Sequence, residues 1–182
     1  MADVTPVTVL TGWSGAGKTT LLNHLLRQPE FAGTAVLADG GAGTFPLPVR
    51  LNAGCLCCSR REELVRILRL WLPRARRDEI GRVVIETTGD ADPAAIQETL
   101  ARDIVTASAY RVDGIVTVVA ATGGLTALAE RQIAAADRIV VNKSDLADPG
   151  PLCARLHAIN PHAAVITTSQ GVVAAGFILA VR

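Results

Sequence analysis

Several things are missing from this 182-residue chain, and each absence narrows its function. It lacks charge of one sign: 18 Lys and Arg against 17 Asp and Glu leave a net charge of +1. No broad attraction to nucleic acid follows from that balance, and none is expected as a partner. The opening "MADVTPVTVL" lacks the basic region and long apolar run of a secretory signal. The most apolar stretch, "VVAAGFILAV" near the end, is about half the length a bilayer span needs. No membrane association is expected, and the chain reads as cytoplasmic. There is no repeat, low-complexity tract or dividing linker, so one domain is expected over 1–182. Cysteine is scarce, with four in all, yet Cys55, Cys57 and Cys58 crowd into "NAGCLCCSRREEL" while Cys153 stands apart. In a reducing compartment such a cluster points to metal or redox chemistry rather than to disulfides.

What is present is a globular composition, 49% apolar. Short β-branched runs at 7–10, 34–38, 82–86, 114–120, 138–142 and 163–167 alternate with helix-like segments. The helices are expected near 18–28, 60–72, 93–105, 124–136, 149–158 and 170–180. Unbroken apolar strands separated by helices predict an α/β fold: three layers, with a mostly parallel central sheet and helices on both faces. The helix from residue 60 has a capping-box start, Ser59 with Glu62, and an apolar face of Leu64, Ile67, Leu68 and Trp71. Its positive end would favour thiolate at Cys58.

The strongest motif is "GWSGAGKTT", Gly12 to Thr20, which fits Gly, four residues, Gly-Lys-Thr. It follows an apolar strand and precedes a helical pattern carrying Leu21, Leu22, Leu25 and Leu26. Glycines at 12, 15 and 17, with Ser14 and Ala16 between them, let successive N–H groups turn inward on an anion. The following helix adds its dipole. Lys18 is placed to bridge β- and γ-phosphates, Thr19 to offer a hydroxyl to Mg²⁺, and Thr20 to reach an inner phosphate. The bland alternative, a glycine turn with a chance lysine, does not account for the strand before it and the helix after it.

Two further segments fit a nucleotide. "RIVVNKSDL" carries Asn142, Lys143 and Asp145 at a strand end. A carboxylate at 145 accepts from both the ring N–H and the exocyclic amine of guanine, a donor pair that adenine lacks. Lys143 would lie along the base and Asn142 would brace the loop; the bland alternative is an ordinary polar turn. In "RVVIETTGDADP", Glu86 ends a strand, where a carboxylate holds Mg²⁺ directly or through water. Gly89 can present its N–H to a γ-phosphate. Glu86 could instead cap a helix or pair with a cation, and Asp92-Pro93 reads as a helix cap.

Taken in order, "GWSGAGKTT", "GCLCCS" (54–59), "ETTGDADP" (86–93) and "QIAAADRIVVNKSDL" (132–146) resemble the CobW-type metal-chaperone GTPases, P-loop proteins related to the nickel-insertion GTPases. The resemblance runs from residue 7 to about 171. It implies binding of GTP and GDP with Mg²⁺, slow hydrolysis, and delivery of Zn²⁺, Co²⁺ or a similar ion to a client metalloprotein. Cys55, Cys57 and Cys58 would be the transition-metal ligands, since soft thiolates suit such ions; packing as small hydrophobes is the bland alternative. The "TTSQG" loop (167–171) would border the base.

The chain departs from the family pattern in three places. The acidic stretch after the second strand is replaced by "VLADGGAGTFPLP", which keeps only Asp39. Ala120 stands where an aspartate is usual. The chain stops at Arg182, without the family's C-terminal domain or a histidine-rich segment; His24, His157 and His162 are scattered. No general base or arginine finger stands out; Arg60 and Arg61 lie beside the cysteine loop and read as a solvated helix start. A GTP-binding module without productive hydrolysis or metal transfer is therefore the competing expectation. An ATP-dependent kinase would make the Asn142–Asp145 motif a coincidence. No Cys-Pro-His motif of the nickel-insertion group is present. None of these motifs encodes the oligomeric state.

Overall fold

A computed structural model describes residues 4–39, 48–51 and 61–179. Seven strands form one sheet: β1 (Thr5–Thr11), β2 (Thr34–Asp39), β3 (Pro48–Leu51), β4 (Arg82–Glu86), β5 (Tyr110–Ala120), β6 (Arg138–Asn142) and β7 (Ala164–Thr167). Their order is β3-β2-β4-β1-β5-β6-β7, and every pairing is parallel. The helices are α1 (Lys18–Leu25), α2 (Arg61–Ala75), α3 (Pro93–Arg102), α4 (Ile104–Ala109), α5 (Ala127–Ala134), α6 (Gly150–Ile159) and α7 (Ala175–Leu179). The mostly parallel sheet expected from the sequence is thus parallel throughout its described strands.

The sheet is buried on both faces, which is why its strands read as unbroken apolar runs. Val83 and Ile85 of β4 point one way, into a core closed by Leu64, Leu68 and Trp71 of α2 and by Ile96 and Leu100 of α3. Val84 points the other way and meets Leu21, Leu22 and Leu25 of α1 and Ile178 of α7. Further along the sheet, Val119, Ile139 and Val141 pack with Ile133 of α5 and Leu156 of α6. Helices therefore cover both faces, as expected.

Three features differ from the sequence reading. The helix expected near 170–180 starts only at Ala175 and runs to Leu179 among the described residues. Residues 48–51 add an edge strand beside β2. The helix expected over 93–105 is two helices, because Asp103 takes an extended backbone (φ −86, ψ 114) and its carboxylate accepts from Thr106 N at 2.9 Å. Asp92 caps α3 as expected, accepting from Ala94 N at 3.0 Å. Ser59, the expected cap of α2, lies outside the described residues.

At the strand ends away from the site, Arg82 Nη1 donates to Asp113 Oδ2 at 2.6 Å and to Thr8 Oγ1 at 2.9 Å. Both charged side chains are mostly buried. Replacing Asp113 by Ala strands the guanidinium, and chemical denaturation should show a loss of roughly 3 kcal/mol.

Candidate nucleotide site

The parallel strands deliver their loops to one edge, where ligands of such sheets bind. β1 pairs with β4 so that Leu10 lies opposite Glu86, and β5 pairs with β6 so that Ala120 lies opposite Asn142. A cleft of about 960 Å³ opens there. Its lining brings together Ser14, Gly15, Gly17, Lys18, Thr19 and Thr20 with Glu86, Gly89, Asn142, Lys143 and Asp145. Segments far apart in sequence, each read as part of a nucleotide site, thus share one cavity. Gly12 and Ala16 do not line it. They form the floor of the loop: Gly12 O accepts from Lys18 Nζ at 2.6 Å, and Ala16 is fully buried.

Asn142 fixes the loop's shape. Its Nδ2 donates to Ala16 O at 3.0 Å, and its Oδ1 accepts from Gly171 N at 3.0 Å. One buried amide therefore ties the end of β6 to the glycine-rich loop and to the 168–171 loop. Gly17 cannot carry a side chain there: its φ is +103°, and a Cβ would sit 2.2 Å from Asn142 Nδ2. Lys143 adopts φ 62, which turns the chain sharply into the cleft.

Lys18 is 8% exposed. Its ammonium also donates to Trp13 O at 3.2 Å, so two of its three protons are held by the loop and one is left for a ligand. Thr19 Oγ1 donates to Glu86 Oε1 at 2.5 Å. Glu86 is buried, and its Oε2 has no hydrogen-bond partner among the described residues. Burial pushes the Glu86 carboxyl above its ordinary value, against the pull of the Thr19 hydroxyl and the Lys18 charge. Burial also lowers the Lys18 pKa, opposed by the Glu86 and Asp90 carboxylates.

After β4, Gly89 abuts the glycine-rich loop. A Cβ on it would fall 2.5 Å from Ser14 N. Thr87, Thr88, Leu146 and Gln170 also line the cleft. Gln170 lies within the 167–171 loop expected to border the base; Thr87 and Thr88 fall in the ETTGDADP segment and Leu146 ends the NKSDL segment, none of them singled out by the sequence reading. Arg61 does not enter the cleft. It ion-pairs with Glu98 at 3.9 Å and lines a separate groove. Cys55, Cys57, Cys58 and Arg60 lie outside the described residues. Among the described residues no three His, Cys, Asp or Glu side chains gather to hold a metal ion, and no helix is long and apolar enough to cross a membrane.

Residues 6–167 match the family model described as CobW/HypB/UreG, nucleotide-binding domain. The chain belongs to this family. It is 36% identical over 183 residues to the zinc chaperone YjiA of Escherichia coli (strain K12), covering 91% of this chain and 58% of that protein. It is 32% identical to the zinc-regulated GTPase metalloprotein activator 1 of Schizosaccharomyces pombe, covering 93% of this chain and 47% of the relative. The chain thus spans about half to three-fifths of these relatives. The crystal structure of the Zn(II)-bound YjiA GTPase superposes with a TM-score of 0.76 at 28% identity, over 97% of this chain and 61% of that one. Hydrogenase maturation factor HypB of Archaeoglobus fulgidus shares the fold, with a TM-score of 0.63 at 19% identity.

The raised Glu86 pKa fixes a sign for the ligand-free protein. A carboxyl whose pKa rises on folding adds stability below its unfolded value, and that stability is lost as pH climbs through the folded value. Thermal unfolding against Glu86→Gln should show the wild type's relative stability highest below the ordinary value of 4.5 and falling as pH rises above it.

Proposed function

We propose that this chain is a guanine-nucleotide-binding GTPase domain that couples nucleotide state to the handling of a transition-metal ion. The observation that carries the reading is the convergence in one cleft of the glycine-rich loop with Lys18, the Thr19–Glu86 pair, and Asn142, Lys143 and Asp145. The names of the relatives, zinc chaperones and a zinc-regulated GTPase, support the metal half of it.

Loop amides and the free proton of Lys18 hold the triphosphate, while Asp145 reads the guanine edge and Lys143 flanks the base. Thr19 and Glu86 fit Mg²⁺: a hydroxyl and a carboxylate lie together, and a buried carboxylate oxygen awaits a partner. Bound there, Mg²⁺ supplies positive charge to the phosphate oxygens. Water attacks the γ-phosphorus, the bond to the β–γ bridging oxygen breaks, and GDP and phosphate result. The protein's part is positional and electrostatic.

Among the described residues lining the cleft there is no arginine, and the acids are Glu86 and Asp145. That supports slow turnover. It also favours a second reading, a module that binds GTP without productive hydrolysis. Phosphate release with Mg²⁺ separates the two: Lys18→Ala should lower kcat/KM at least about 100-fold, whereas equal rates in wild type and variant establish the second reading.

Cys55, Cys57 and Cys58 are proposed to bind Zn²⁺ or Co²⁺ for delivery to a client. Equilibrium dialysis should find about one ion per chain with GTP, a different affinity with GDP, and loss of the ion in Cys57→Ser. Equal metal affinity in both nucleotide states would contradict the coupling.

A further inference from the structure

Gln132, on α5, is completely buried. Its side-chain nitrogen donates to Gly89 O at 3.1 Å and to Ala91 O at 2.9 Å. Its backbone carbonyl accepts from Thr117 Oγ1 of β5 at 2.9 Å. Both protons of one amide are thus spent on the two residues that flank Asp90, at the bend between β4 and α3. The front of the same bend rests on the glycine-rich loop, where Gly89 meets Ser14 N too closely to admit a Cβ. The bend is held between the phosphate-binding loop in front and Gln132 behind.

The other end of this amide makes the arrangement informative. Gln132 Oε1 is buried without a hydrogen-bond partner among the described residues, which costs about 1–3 kcal/mol. A methionine or leucine would fill the space without that cost. The amide's contribution is therefore its donor pair, aimed at the segment that faces the γ-phosphate.

The geometry points to Gln132 as a positioning residue for γ-phosphate recognition: by holding the carbonyls of Gly89 and Ala91, it fixes Gly89 at the triphosphate end of the cleft and links that bend to α5 and β5. This rests on the guanine-nucleotide reading above and adds to it the residue that holds Gly89 where it can tell triphosphate from diphosphate. Gln132 is not among the residues that line the cleft. Its effect is expected on the discrimination between ligands and not on diphosphate binding.

The test compares wild type with Gln132→Met, and with Gln132→Leu if the methionine variant does not fold. Two quantities are measured: Mg²⁺-dependent affinities for β,γ-imido-GTP and for GDP, and hydrogen exchange of residues 87–91 without ligand. The expected result is a fall of about tenfold for the triphosphate analogue, the worth of two neutral hydrogen bonds. GDP affinity should stay within about twofold, and exchange at 87–91 should be faster. Equal weakening of both nucleotides, or of neither, overturns the proposal. A wild type that binds no guanine nucleotide overturns the reading of the cleft instead, and the exchange data then decide separately whether Gln132 holds the bend.

Discussion

Everything at the site depends on one buried amide. Asn142 bonds at the same time to Ala16 O in the glycine-rich loop and to Gly171 N in the loop after β7. Parallel strands alone bring these loops to the same edge; they do not set the loops against one another. The Asn142 bonds do, and they require a left-handed Gly17 with no side chain. Lys143 and Asp145 then begin from a point fixed relative to the phosphate loop. In this arrangement the spacing between the glycine-rich loop and the segment carrying Lys143 and Asp145 is held by the Asn142 hydrogen bonds.

The buried charges follow from the same geometry. Lys18 and Glu86 are both disfavoured as ions by burial, and each partly offsets the other. Among the described residues, Lys18 Nζ donates to two backbone carbonyls and Glu86 Oε2 has no hydrogen-bond partner. In the proposed reading, a magnesium–nucleotide complex would supply groups of the opposite sign to both. Strain of this kind is characteristic of sites whose residues are placed for a ligand and not for the fold.

Much of this was legible in the sequence, for physical reasons that can be named. β1, β4 and β6 are covered on both faces, so their apolar runs are continuous. The glycine-rich loop and the Asn142–Asp145 segment are contiguous motifs, so their chemistry is visible without a fold. The edge strand at 48–51 was not read, because Pro-Val-Arg-Leu has neither the length nor the apolar continuity of a central strand. The break at Asp103 was missed because a cap inside a helical pattern is decided by one carboxylate. Gln132 was unreadable in its role: its partners, Gly89 and Ala91, lie 43 and 41 residues away. The sulfur-rich segment shows the reverse case, since its three cysteines are read from sequence alone and lie outside the described residues.

The central claim is that this cleft recognises a guanine nucleotide through paired sites for base and phosphates. Titration calorimetry with GTP and ATP, each with Mg²⁺, tests it most directly. The account predicts GTP binding at least about 100-fold tighter than ATP, because adenine leaves the Asp145 carboxylate without its donor pair. No heat with GTP at millimolar concentration, or equal affinity for the two nucleotides, would contradict it.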